Sequence, residues 1–502
     1  MLFNVAAFAL AAQVAAAEDY QIVGSFIFGR HNDRESKPAT VLTSIGAHNQ
    51  FLVGQFYRER YFGIDSEGTR NDSSATLIQG LNEDGVYVNG QIYAEAPYSN
   101  VMLFSHYSFL QGLYPPIDIA NTTLIDSFMS ELANGTVIEN PLNGYQYIQS
   151  YIQENATEGY IRIKGDENCP ALTKSLQQTQ KGDLFEQYTS ESSEFLQSLY
   201  EYEFIKEKFK QSELTFSNSM NIYDQVYVNS IHNATVAKEI DEDIITEIKI
   251  WSDLYQWTLS DKHVNSNLTI GAQTLMGSIL NRLNTTKTSR QPLLNYYTGS
   301  FNTMFQLASV LDLEIQDDRF KTMPEYGCTY VFELLSDSDD DIFVRFSFKN
   351  GTAEMGDEIT AYPLFNTSDV LMSWDDFAQN VKSLAISEVS SWCDACGYEV
   401  VDADQVLDMC VPYGNLYETA KQLDAEGVNL SSVKASSSKS SSLTLADAGG
   451  IGAGVTIGVF LILGALYFLY MKTTRKQKHI LPVTKDNSSI VTSGMGSTVA
   501  SA

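Results

Sequence analysis

Tyr20-Gln-Ile-Val-Gly-Ser-Phe-Ile-Phe-Gly29 is an apolar, β-rich run that stops on Arg30-His31-Asn32-Asp33-Arg34. A strand of this kind carries whatever follows it to one edge of a sheet. Here it carries an imidazole bracketed by two guanidiniums. Guanidiniums match phosphate oxygens bidentately, and a neutral imidazole between them can attack phosphorus. The alternative is a solvated polar loop after a strand, and these residues alone leave both readings open.

The segments that follow narrow the choice. Leu42-Thr-Ser-Ile-Gly46 leads through Gly54 to Arg58-Glu-Arg60-Tyr61, Leu110-Gln-Gly-Leu-Tyr-Pro-Pro116 closes a later block, and Pro324-Glu-Tyr-Gly-Cys-Thr-Tyr-Val-Phe-Glu-Leu334 precedes Val344-Arg-Phe-Ser-Phe-Lys-Asn-Gly351. In order, from about residue 20 to about residue 410, this pattern resembles the histidine acid phosphatases, a branch of the phosphoglycerate-mutase-like superfamily. The resemblance implies an α/β fold: a mostly parallel central sheet flanked by helices, with an inserted, largely helical cap over roughly 116–283. It also implies a chemistry. A nucleophilic His becomes phosphohistidine, three Arg clamp the phosphate, a second His adds positive charge, and an Asp after it protonates the leaving group.

Arg30, His31 and Arg34 match the first block residue by residue, with Asn32 in place of its Gly. Elsewhere the chemistry fails to match. The third Arg of the pattern aligns with Glu95 in Ile92-Tyr-Ala-Glu-Ala-Pro97, and the late His-Asp pair aligns with Ser300 and Phe301. A positioned general acid contributes about 10²–10⁴ in rate, and a phenyl ring cannot transfer a proton. A Glu for a clamp Arg trades attraction for repulsion, about 4 kcal/mol either way for unit charges about 4 Å apart at an effective dielectric near 20. The sequence therefore predicts a scaffold whose phosphatase chemistry is lost or strongly reduced, able still to hold phosphate or another anion. The alternative is an active acid phosphomonoesterase with a non-standard proton donor. His48, His106, His232 and His263 are each read as surface or packed residues. No cofactor motif and no metal motif is evident. Asp337-Ser-Asp-Asp-Asp341 is read as a solvated hairpin turn ahead of a Ca²⁺ loop.

Sixty-two acids against thirty-two bases give a formal charge of −30, which argues against nucleic-acid binding because a phosphate backbone would be repelled. Residues 1–17, ending Ala15-Ala16-Ala17, read as a secretory signal peptide before an ectodomain over 18–428. A Ser-rich stalk follows over 429–449. Residues 450–471 carry no charge and are long enough to span a bilayer; Lys472, Arg475, Lys476 and Lys478 come next, which puts the tail 472–502 in the cytoplasm. The polar tail disfavours a lipid-anchor signal. The expectation is a type I, single-pass protein at the cell surface or in a secretory-pathway membrane, its protein partners not legible. Sequons at Asn71, Asn121, Asn134, Asn155, Asn233, Asn267, Asn284, Asn350, Asn366 and Asn429 agree with that route. Cys169, Cys328, Cys393, Cys396 and Cys410 fall on the lumenal side, where disulfides are the default. The resemblance implies structural bridges toward the C-terminus, and an odd count leaves at least one cysteine over.

Overall fold

Strand β1 (Gln21–Arg30) is buried from Ile22 onward because it runs through the middle of a sheet covered on both faces. The computed structural model describes residues 20–74, 76–117, 130–352, 359–398, 407, 409 and 410. By contacts the chain divides into Met1–Gln422 and Leu423–Ala502, and every described residue belongs to the first unit. The expected signal peptide (1–17), Asn121, Asn429, the expected stalk (429–449), the 450–471 segment and residues 472–502 lie outside the described residues. Among the described residues no helix is long and apolar enough to cross a membrane.

After β1 come α1 (Ser44–Phe62), β2 (Ile92–Pro97), α2 (Asn100–Leu113), β3 (Ser150–Gln153) and α3 (Glu158–Lys164). Next are α4 (Pro170–Thr179), α5 (Asp183–Ser198), α6 (Ser219–His232), α7 (Glu242–Thr258), α8 (Ile270–Ser289), β4 (Leu294–Gly299) and α9 (Phe301–Val310). The late elements are β5 (Thr329–Ser336), β6 (Ile342–Lys349), β7 (Thr360–Tyr362), β8 (Leu371–Ser373) and α10 (Trp374–Leu384). The sheet order is β3-β2-β4-β1-β5-β6-β7, with β8 also on β6. Neighbours from β3 to β1 pair parallel; β5 joins β1 antiparallel, and the pairs beyond it are antiparallel too. The sheet is thus mixed. Its parallel half carries the first and late motif blocks, and the hairpin anticipated at Pro324–Gly351 supplies the antiparallel half.

Alternation along β1 builds two cores. Phe26 and Phe28 face a cluster with Leu275, Met276 and Ile279 of α8, while Ile27 faces Val53, Tyr57 and Phe109 of α1 and α2. The glycines in the α1 and α2 blocks have a packing reason. A Cβ on Gly54 would lie 2.1 Å from the Phe109 carbonyl oxygen, and one on Gly112 would lie 2.0 Å from that of Phe51. The two helices cross with their backbones in contact, which only glycine allows. Thr43 caps α1, its hydroxyl accepting from Gly46 N at 3.1 Å.

The segment expected as a helical cap is not uniformly so. β3 falls inside it and pairs with β2, and α8, which begins inside it, packs on β1 as a core helix. The part that forms its own apolar cluster includes α6 and residues from α5 and α7: Leu196, Ile222, Tyr223, Val226 and Ile248. Phe301 and Phe305 of α9 belong to the same cluster, so the cap docks onto the helix that follows β4.

Candidate functional site

β1 and β4 run parallel in the register Phe28↔Tyr297, Gly29↔Thr298, Arg30↔Gly299, so both end at the same sheet edge. Such an edge, at the carboxyl ends of parallel strands, is where α/β sheets place their crevice. The backbone closes the junction: His31 N donates to Gly299 O at 3.1 Å and Arg30 N to Cys328 O at 2.9 Å. Arg30, His31, Arg34, Ser300 and Phe301 are thereby gathered from blocks nearly three hundred residues apart in sequence, as the alignment of both blocks predicts.

His31 is 5% exposed. Its Nδ1 lies 2.9 Å from Asn32 O, and a carbonyl can only accept, so Nδ1 carries the hydrogen. Burial first, then the Arg30 guanidinium, pushes its pKa well below the usual histidine value. The ring is therefore neutral with the lone pair on Nε2. Asn32, at the glycine of the motif, is fully buried; its Nδ2 donates to Gln50 Oε1 at 3.1 Å and its N–H to Ser105 Oγ at 3.0 Å.

The two arginines are already engaged. Arg30 donates to Pro324 O, with its guanidinium 4.4 Å from the Tyr326 ring centroid and 5.2 Å from that of Phe301. Its buried Nε finds no hydrogen-bond partner among the described residues. Arg34 forms a two-pronged ion pair with Asp224 of α6, Nη1 at 3.3 Å from Oδ2 and Nη2 on Oδ1. Those side chains are 4% and 3% exposed. Burial, the largest influence, works against the charge of Arg34, but the Asp224 hydrogen bond together with the nearby charges of Asp224 and Asp33 and the Tyr326 hydroxyl outweighs it and raises the guanidinium pKa. A cavity of about 10 Å³, bordered by Arg30, Asp224 and Tyr326, offers the space of roughly one water.

Ser300 and Phe301 stand at the root of α9 where the aligned pattern has His-Asp. Phe301 is 7% exposed and is a hydrophobic dock for the cap. Glu95 is buried within β2, and Gln153 Nε2 donates to its Oε1 at 2.6 Å. Its carboxylate borders a cavity of about 380 Å³ that is also lined by Tyr93, Arg162, Arg282, Tyr297 and Lys382. Its charge acts on Tyr93, Arg282 and Tyr297, and among the described residues it makes no hydrogen bond or ion pair with the arginines of the first block.

Sequence reasoning missed three residues here and undervalued two histidines. Lys164, the last residue of α3, reaches Ser300 Oγ at 3.2 Å, and its charge acts on His31. Asp224 and Tyr326 hold the two arginines. His232, read as a residue of the cap without a role, instead pairs Nε2 with Asp33 Oδ2 at 2.7 Å and ties α6 to the first block. His106 lies fully buried under the site, 3.0 Å from Thr298 Oγ1 and 3.2 Å from Ser150 Oγ. Burial pushes its pKa down to about 3. No local pattern marks these residues; only their charge or ring hinted at a partner, and each partner lies far away in sequence.

The family model for the histidine phosphatase superfamily (branch 2) matches residues 18–349. The chain belongs to branch 2 of the histidine phosphatase superfamily. Among curated relatives of this branch 2 protein, human (Homo sapiens) prostatic acid phosphatase is 24% identical over 318 residues, covering 62% of this chain and 69% of that one. The bovine (Bos taurus) protein of the same name is 22% identical over 313 residues, with the same two coverages. Among solved structures, the phytase of Citrobacter braakii aligns with 75% of this chain and 99% of its own, at 14% identity and a TM-score of 0.50. The Hafnia alvei phytase in complex with myo-inositol hexakis sulphate aligns with 76% of this chain and 99% of its own, at 14% identity and a TM-score of 0.51. At those identities the likeness shows the fold.

The five cysteines divide cleanly within this branch 2 fold. Cys169 pairs with Cys396 and Cys393 with Cys410, while Cys328 is a buried free thiol. The Asp337–Asp341 run is a turn in which Asp337 Oδ1 accepts from Asp339 N and Asp341 N at 3.0 and 2.9 Å.

Proposed function

We propose that this protein is a secretory-pathway, type I membrane-anchored glycoprotein whose histidine-phosphatase domain binds an anion at Arg30, His31 and Arg34 but hydrolyses phosphomonoesters little or not at all. The observation that carries this reading is Phe301: at the position of the proton donor stands a buried ring that docks the cap and underlies Arg30. Without a positioned acid the leaving alkoxide departs unprotonated, a deficit of about 10²–10⁴ in rate. The family pattern's third arginine is also missing, since Glu95 stands at its aligned position with its carboxylate bonded to Gln153 at the wall of another cavity. Arg34 must also share or exchange its Asp224 partner before it can take a phosphate oxygen.

The anchoring part rests on the charge-free 450–471 run with its following bases. The two disulfides fit an oxidising compartment. The sequons at Asn71, Asn134, Asn155, Asn233, Asn284 and Asn366 are exposed, whereas Asn267 and Asn350 are half-buried and spend side-chain atoms on Ser175 Oγ and Glu325 N.

A second reading has its own support. The neutral His31 with hydrogen on Nδ1 leaves Nε2 in the state a phosphohistidine mechanism uses. An active enzyme would then draw its proton from another residue. Phosphomonoester hydrolysis by the purified protein, followed from about pH 3 to 8 beside His31→Ala, decides between the two. Rates no higher than those of the variant support the first reading. Turnover that His31→Ala abolishes overturns it in favour of the second.

A further inference from the structure

Lys164 is 4% exposed, an unusual place for an ammonium, and its three N–H bonds are all accounted for. Nζ lies 3.3 Å from Asp166 Oδ2, 3.3 Å from Glu167 Oε1 and 3.2 Å from Ser300 Oγ. Burial alone would discharge it, but the two acids outweigh burial and hold it protonated. It is also fixed in place. The next residue, Gly165, accepts from Trp392 Nε1 at 2.9 Å, and the Cys169–Cys396 disulfide clips the chain a few residues on.

The bond to Ser300 has a directional consequence. An ammonium can only donate, so Ser300 Oγ accepts from Lys164 and its own hydrogen must turn elsewhere. Ser300 is the N-cap of α9, yet its hydroxyl makes no capping bond, and among the described residues that hydrogen meets no acceptor. α9 has ten residues, so the orphan N–H groups and positive dipole end of a real helix open at the same point. His31 N is bonded to Gly299 O, one residue away, and Lys164 is among the charges acting on the His31 ring.

We propose that Lys164 and Ser300 together form an anion-binding element of the His31 site: the buried ammonium polarises the Ser300 hydroxyl, which donates to the bound anion. The cation that the aligned pattern draws from a histidine at the end of β4 comes here from α3, through its contact with Ser300. The inference rests on the anion-binding reading above and names two further residues of that site.

The test is calorimetric titration of the full chain in detergent with inorganic phosphate. Lys164→Met and Ser300→Ala are each expected to weaken binding about tenfold or more, the usual loss when a charge-assisted donor is removed, while Ser300→Thr keeps the hydroxyl and stays near the wild type. Ser300→Ala leaves the ion pairs of Lys164 with Asp166 and Glu167 intact, so it tests the idea even if Lys164→Met fails to fold. Arg30→Ala locates the phosphate. Binding weakened by Arg30→Ala but indifferent to Ser300→Ala and Lys164→Met overturns this inference and leaves its parent standing. Binding indifferent to Arg30→Ala, or no binding at all, overturns the parent reading and this one with it.

Discussion

Asp224→Asn isolates the feature that most distinguishes this crevice from an open phosphate site. The substitution keeps the shape of the side chain and removes the charge that pairs with Arg34. Both members are almost wholly buried, so the guanidinium is left without its compensating carboxylate. Breaking a buried pair from one side costs about 3–5 kcal/mol. Asp33 also acts on Arg34 and remains, which argues for the lower end. Phosphate entering the site would then replace the missing carboxylate. If it recovers half of about 3 kcal/mol, the variant binds phosphate roughly tenfold more tightly than the wild type. Thermal unfolding of both proteins across a phosphate titration, with chloride matching the ionic strength, reads this directly. The variant should melt lower without phosphate and regain more on adding it, with its response set in at about a tenth of the wild-type concentration. A variant that is destabilised yet no more responsive to phosphate would show that Arg34 does not border an anion site. One that is not destabilised would show that the pair contributes nothing net to the fold.

His106→Gln should flatten the acid limb of stability. A buried histidine with a pKa near 3 leaves the unfolded chain, at about 6.5, as the better proton binder, so its stabilisation is complete above pH 6.5 and is lost as pH falls. Between about pH 6.5 and 5 that amounts to roughly 2 kcal/mol, and urea unfolding at the two pH values should show the wild type losing that much more than the variant. Ser300→His and Phe301→Asp combined should raise phosphomonoesterase activity above either single change, since such groups act as a unit. Phe301→Asp also removes a buried ring, a loss of about 3–5 kcal/mol, so each variant's melting temperature must be read beside its rate. Full-length protein should stay in the membrane pellet through alkaline carbonate; release into the supernatant would refute the 450–471 anchor.

Much of the scaffold could be read in the sequence because its determinants are local. The apolar run ending at Arg30 is a short pattern with a direct physical meaning, while the division of Phe26, Ile27 and Phe28 between two cores and the helix contact at Gly54 and Gly112 appeared only in the fold. The position of His31 at a strand end followed from the same logic, whereas Phe301 stood out only through the family resemblance, which aligns it with the proton donor. The cap boundary was less legible. β3 is only four residues long, and nothing in Ser150–Gln153 separates an edge strand from a loop until β2 is beside it.

What the tertiary structure decided was the charge balance of the crevice. Sequence alignment put Glu95 against the anion, but the fold spends its carboxylate on Gln153 and on the wall of a different cavity. Arg34 looked like a free clamp until α6 brought Asp224 to it from 190 positions away. His232 and Asp33 are 199 positions apart, and Lys164 and Ser300 are 136 apart. The strength of an electrostatic contact depends on distance and burial, and neither is encoded near the residue that feels it. The chain alone therefore determined which side chains reach the end of β1, and packing of the cap determined which of their charges remain available.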